Sequence, residues 1–164
     1  MTDQMDITLH PIGRVRTGLD TLEDCPPSAR SNPTGSIIDL DPAFADGLLN
    51  IELATHAVIL YWFDRADRSA LHRRTRPGEI TRGVFASRSP NRPNPVALSV
   101  VKVQGRDGHR LHVSGLDCLD GTAVIDIKPY VPDDDCMPEA FIGWECGCTS
   151  APSVVAESKE ACIC

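Results

Sequence analysis

The chain has 164 residues, a length that suits one folded domain with a hydrophobic core of its own. Its net charge of -7 argues against a protein that coats nucleic acid non-specifically, because such binding depends on an excess of Lys and Arg. No apolar run reaches the roughly 18 residues of a membrane span and no basic-then-apolar leader is present, so we expect a cytoplasmic protein without a membrane anchor.

The strand-like segments are, in chain order, 7–15, Ile37–Leu40, Ala57–Phe63, Val96–Val103, His109–Ser114 and Val124–Pro129. Pro11 and Gly13 suggest that the first strand is an edge strand or carries a bulge. Asp41 followed by Pro42 predicts the start of a short helix that runs through Leu48. The segment Ala57–Phe63 is apolar without alternation, which is typical of a central strand buried on both faces.

Many short strands separated by turn residues predict an all-β barrel or sandwich. We assign residues 1–135 to this domain, with short helical insertions. Residues 136–164 are predicted to form an irregular, cysteine-bearing C-terminal tail, because they show no clear apolar period.

The basic residues are concentrated in one part of the chain. Eight of the sixteen Lys and Arg residues lie between Arg65 and Arg92, where only Asp67 and Glu79 oppose them. An anionic ligand would bind this arginine-rich segment, although charge alone is equally consistent with a solvated loop.

Two segments carry the residues best suited to bind a ligand. The first is SRSPNRPNPVALS, from Ser87 to Ser99, in which three prolines fix the shape of a loop rich in hydrogen-bond donors. The second is LDCLDGTAVIDIKPYVP, from Leu116 to Pro132, with a hairpin-type turn at Asp120-Gly121. In its strand, alternation places Asp126, Lys128 and Tyr130 on one face, which is either a polar outer surface or the wall of a pocket.

The same two segments resemble a known family. GVFASRSPNRPNPVALSVVKV and LDCLDGTAVIDIKPYVP are similar to the signature of the TrmO-type (TsaA-like) proteins, which typically read close to GVFATRSPNRPNPIGLS and LDGTPVLDIKPY. The resemblance implies a small β-barrel that works as a homodimer, binds S-adenosyl-L-methionine and methylates tRNA. The missing G-x-G-x-x-G motif agrees with a cofactor site that is not of the Rossmann type.

The resemblance also assigns roles to individual positions. It implies that the cofactor-binding residues are His72, Arg73, Arg88, Ser89, Asn91, Arg92, Asn94, Leu119, Asp120, Gly121 and Thr122. The expected methyl acceptor is N6 of threonylcarbamoyladenosine beside the tRNA anticodon. Asp126 and Tyr130 are candidates to accept the proton of that nitrogen, and the tRNA backbone is expected to bind Arg74, Arg76, Arg82 and Lys128.

Other functions are compatible with the sequence. The chain could be a regulatory module that binds the cofactor without catalysis, or a methyltransferase with a different methyl acceptor. The C-x-C pairs Cys146/Cys148 and Cys162/Cys164 could bind zinc, but their spacing differs from the usual C-x2-C, and we favour free thiols without a metal.

Overall fold

A computed structural model describes residues 6–26, 34–73, 81–140 and 142. Its regular elements are β1 (Gly13–Arg16), β2 (Gly35–Leu40), β3 (His56–Trp62), β4 (Val96–Asp107), β5 (Arg110–Ser114), β6 (Ala123–Pro129) and α1 (Pro132–Asp135). Short 3₁₀ helices span Pro42–Leu48, Ile51–Leu53 and Val84–Ala86. The chain divides into two units, Met1–Tyr130 and Val131–Cys164. Within the described ranges, none of the helices has the length and hydrophobicity that crossing a membrane requires.

The six strands form a closed barrel in the order β1-β2-β5-β4-β3-β6, with every neighbouring pair antiparallel. The all-β class and the barrel predicted from the sequence are confirmed. Alternate residues of each strand point inward and form the core, which includes Val15, Ile38, Ile59, Val101, Leu111 and Val124. Their burial removes apolar surface from water and is the main force that holds the barrel closed.

The first strand differs from its prediction. β1 begins at Gly13 and pairs with both β2 and β6, so it is not an edge strand. Gly13 is required by close packing, because a Cβ there would lie 2.5 Å from the carbonyl oxygen of Asp39 and 2.6 Å from Cα of Leu40. The interpretation of Gly13 as an edge or bulge residue was therefore wrong.

The apolar run in β3 is buried on one face only. Ala57, Ile59 and Tyr61 point into the barrel, whereas the intervening side chains on the outer face are only half-buried. The prediction of a strand buried on both faces was wrong, because no helix layer of the described residues covers the outer face of the closed barrel.

Local chemistry explains the helix that follows β2. The side chain of Asp41 accepts a hydrogen bond from the backbone N–H of Ala43 at 2.9 Å, and Pro42 occupies the first turn. The predicted start and the end at Leu48 are confirmed, but the helix has 3₁₀ rather than α geometry.

Candidate cofactor-binding site

The antiparallel order brings three connections to one end of the barrel. Since neighbouring strands run in opposite directions, the β1–β2, β3–β4 and β5–β6 connections all leave from the same end, which we call the loop end. The proline-rich loop belongs to the β3–β4 connection, and the Asp120-Gly121 turn belongs to the β5–β6 connection. Two segments far apart in sequence, both predicted to bind the cofactor, therefore lie at the same end of the barrel.

Hydrogen bonds inside the proline-rich loop fix its shape. The guanidinium of Arg92 donates to the carbonyl oxygen of Val84 at 3.0 Å and to that of Ser87 at 3.4 Å. The hydroxyl of Ser87 also donates to Val84, at 3.0 Å, and accepts from the N–H of Ser89 at 3.4 Å. Arg92 and Ser87 thus hold the loop, whereas the side chain of Arg88 is exposed.

A second set of contacts attaches this loop to the residues after β3. The side-chain oxygen of Asn91 accepts a hydrogen bond from the N–H of Asp67 at 2.9 Å. Arg68 donates to the carbonyl oxygen of Pro93 at 3.1 Å and lies over the ring of Trp62, 5.5 Å from its centroid. Asn94 remains exposed, and its carbonyl oxygen accepts from the N–H of Val96 at 2.8 Å.

Backbone pairing places His72 and Arg73 in the same connection as the loop. His72 forms an isolated antiparallel bridge with Gly83, and the N–H of Arg73 donates to the carbonyl oxygen of Arg82 at 2.8 Å. This hydrogen bond places Arg82 beside Arg73, whereas Arg74 and Arg76 lie outside the described residues.

The Asp120-Gly121 turn is attached to β1 and to the residues that follow it. The carboxylate of Asp120 accepts from the N–H of Thr17 at 3.0 Å and from Arg16 at 3.4 Å. Gly121 has φ 77°, in the left-handed region that favours glycine. The turn does not close a hairpin, because β5 and β6 are not neighbours in the barrel.

The hydroxyl of Thr122 donates to the carbonyl oxygen of Leu119 at 2.7 Å, across this turn. All four predicted cofactor-binding residues of the β5–β6 connection therefore lie together at the loop end. Their contacts are made within the protein, which fixes the turn before a ligand binds.

Asp126, Lys128 and Tyr130 are separated from these loops. Asp126 lies on the outer face of β6 and forms an ion pair of 2.6 Å with Lys128. The N–H of Tyr130 donates to the carbonyl oxygen of His56, where β3 begins, so Tyr130 lies at the end of the barrel opposite the loop end. The structure does not bring these three residues together with the proposed cofactor-binding residues.

The sequence did not reveal a buried polar group at the loop end. The hydroxyl of Tyr61 donates to a carboxylate oxygen of Asp117 at 3.0 Å and lies 2.9 Å from the hydroxyl of Ser99. Tyr61 lies in the segment Ala57–Phe63, which the sequence predicts to be buried, and it is 2% exposed. No local pattern links Tyr61 to Asp117, since they are 56 positions apart.

These groups suit the chemistry of S-adenosylmethionine, which carries a cationic sulfonium, an ammonium and a carboxylate. Arg88 offers an exposed guanidinium for a carboxylate, and Asp117 offers a carboxylate for a cation. Groups of both signs are therefore present in connections that leave from the loop end.

A comparison with family models identifies the chain. The tRNA-methyltransferase O N-terminal domain (TrmO_N) matches residues 14–136. The chain belongs to the TrmO_N family. The resemblance seen in the sequence is confirmed, and the two segments that carry it include parts of the two connections described at the loop end.

Relatives of this TrmO_N protein include two from Archaeoglobus fulgidus. One, named "Probable S-adenosyl-L-methionine-binding protein", is 44% identical over 85% of this chain, which spans only 38% of that protein. The other, named "S-adenosyl-L-methionine-binding protein", is 46% identical over 79% of this chain and 93% of its own length. The crystal structure of TrmO from Pseudomonas aeruginosa is similar with a TM-score of 0.70 and 34% identity, over 85% of this chain and 62% of that one.

Proposed function

We propose that this protein is an S-adenosylmethionine-dependent methyltransferase that acts on tRNA. The observation that carries the proposal is the position of the two family segments, the proline-rich loop and the Asp120-Gly121 turn, which both belong to connections at the loop end of the barrel. The names of the A. fulgidus relatives support the cofactor, and the family description supports methyl transfer to tRNA.

The residues of the loop end would bind and orient the cofactor. S-adenosylmethionine supplies a methyl group on a sulfonium, whose neutral leaving group makes alignment the main requirement on the protein. Arg92 and Ser87 preform the loop, and Arg88 and Asn94 offer exposed polar groups. Preformed loops lose less conformational entropy on binding, which favours affinity.

The proposed methyl acceptor is N6 of threonylcarbamoyladenosine in tRNA. The proposed location of the reaction is the cytoplasm. Two arginines of the β3–β4 connection, Arg65 and Arg68, are exposed and would contact phosphates, together with Arg74, Arg76 and Arg82. Asp126 and Tyr130 are our candidates to accept the proton of the nitrogen, with Lys128 as a substrate-binding residue. Since Asp126 lies on the outer face, its role requires the acceptor base to approach that face.

A two-part experiment tests the proposal on one sample of the protein. Calorimetric titration with S-adenosylmethionine measures binding, and transfer of labelled methyl groups is then measured on tRNA with and without threonylcarbamoyladenosine. Saturable binding and transfer only to the modified tRNA are expected. Absence of cofactor binding would overturn the proposal, and transfer to both tRNAs would overturn the proposed acceptor.

A binding module without catalysis is the second candidate. It is favoured by the names of the two A. fulgidus relatives, which state binding alone. Cofactor binding with no methyl transfer to any tRNA would support this function instead.

We also propose that the protein forms a homodimer through the outer face of β3 and β4. Val96, Leu98 and Val100 are large apolar residues on this face and are 37–48% exposed. They pair with Trp62, Leu60 and Val58 of β3, so the apolar side chains are contiguous.

A further inference from the structure

The carboxylate of Asp117 is held in place from the interior of the barrel. Asp117 lies on the β5–β6 connection between two buried residues, Leu116 and Cys118. One of its oxygens accepts a hydrogen bond of 3.0 Å from Tyr61, whose hydroxyl also contacts Ser99. Because Tyr61 and Ser99 are both buried, this side of the carboxylate is fixed by the core.

The partners of Asp117 do not neutralise its charge. The aspartates Asp39, Asp120 and Asp126 each lie within 3.9 Å of a basic side chain. In the part of the chain that the structure describes, no ion pair includes Asp117. Burial holds the pKa of Tyr61 well above its usual range, so its hydroxyl stays neutral.

An unneutralised, half-buried carboxylate is costly unless something else compensates it. Its field also reaches Cys25 in the β1–β2 connection. The pKa of the Cys25 thiol is raised first by burial and second by the negative charge of Asp117. Asp117 therefore gives the loop end a negative charge that no basic group of the described residues balances within ion-pair distance.

We propose that Asp117 binds the cofactor by placing its carboxylate against a cationic group of S-adenosylmethionine. Cofactor and residue would compensate each other's charge, with Tyr61 fixing the orientation of the carboxylate. The inference rests on the proposed function, and it adds a residue that the family signature did not assign to the cofactor.

Two ligands distinguish an electrostatic role of Asp117 from a structural role. S-adenosylmethionine carries the sulfonium and the ammonium, whereas 5′-methylthioadenosine has a neutral sulfur and lacks the amino acid part. Calorimetry on Asp117→Asn should show an affinity for S-adenosylmethionine reduced about tenfold or more, as expected for a charged hydrogen bond. The affinity for 5′-methylthioadenosine should change less than about twofold, because the neutral ligand offers no charge for the carboxylate to stabilise.

An equal loss of affinity for both ligands in Asp117→Asn, or no loss of affinity for either, would overturn the inference. Asp107→Asn makes the same charge change at an exposed residue at the opposite end of the barrel and should leave both affinities unchanged. Asp117→Ser, which keeps a hydroxyl for Tyr61, allows the same comparison if the Asn variant is too unstable to titrate. Failure of the unsubstituted protein to bind S-adenosylmethionine would instead refute the proposed function itself.

Discussion

The guanidinium of Arg92 lies 3.0 Å from the carbonyl oxygen of Val84, and this hydrogen bond holds the proline-rich loop against the short 3₁₀ helix before it. Val84 is fully buried and belongs to the same unit as the barrel. Arg92 therefore connects the shape of the candidate site to a fixed point of the fold.

Replacing Arg92 with Ala should weaken cofactor binding by releasing the loop. A hydrogen bond from a charged group is worth about 1.5 to 3 kcal/mol, so we expect the affinity for S-adenosylmethionine to fall roughly tenfold or more in calorimetry. Arg110→Ala provides a matched control, because Arg110 is an exposed arginine of β5 that pairs with Asp39. Equal affinities for Arg92→Ala and Arg110→Ala would show that Arg92 does not shape the site.

The sequence predicted the barrel and proposed two segments for the candidate site, but it could not predict how they are arranged. The strand patterns and the proline-rich loop are local, and local patterns can be read directly. The pairing of β3 with β6, and the register shift between Leu60 and Tyr61, depend on residues far apart in the chain. The contact between Tyr61 and Asp117 depends on the same closure, so the sequence did not reveal it.

Gly13 should be intolerant of substitution because its neighbours leave no room. An added Cβ would lie 2.5 Å from the carbonyl oxygen of Asp39 and 2.9 Å from a methyl carbon of Leu40. We expect Gly13→Ala to lower the free energy of unfolding by roughly 1 to 3 kcal/mol in urea denaturation, as overpacked positions do. Gly35→Ala is the control, since its Cβ would meet only the side chain of Gln104, at 3.6 Å. Equal losses in the two variants would contradict this account of Gly13.

The buried thiol of Cys118 should make the protein less stable at alkaline pH. Burial raises its pKa from 9.0 to about 12, the hydrogen bond with Thr122 opposes the rise, and the charge of Asp117 adds to it. The thiol then keeps its proton in the folded state while it ionises in the unfolded chain. The contribution of this thiol to the free energy of unfolding is fully present below pH 9 and is lost as the pH rises toward 12.

Urea denaturation between pH 8 and pH 11 measures this loss. The free energy of unfolding should fall by up to about 1.4 kcal/mol per pH unit for one such proton. Cys118→Ala should flatten the decline, whereas Cys136→Ala should not, because Cys136 is exposed. A decline of unchanged slope in the Cys118 variant would refute the assignment. Tyr61, whose pKa is also raised from 10.0, contributes in the same direction above pH 10.

The apolar outer face of β4 should determine the oligomeric state. Leu98 is 48% exposed and pairs with Leu60 of β3, so it lies within the contiguous apolar surface. Leu98→Arg places a charge there, and burying an unpaired charge in an interface is strongly unfavourable. Sedimentation velocity should therefore show a dimer for the unsubstituted protein and a monomer for Leu98→Arg.

Leu53→Arg makes the same change at an 81% exposed residue of the Ile51–Leu53 helix, at the opposite end of the barrel from the loops, and should remain dimeric. A monomeric unsubstituted protein, or dissociation by both variants, would exclude this face as the interface.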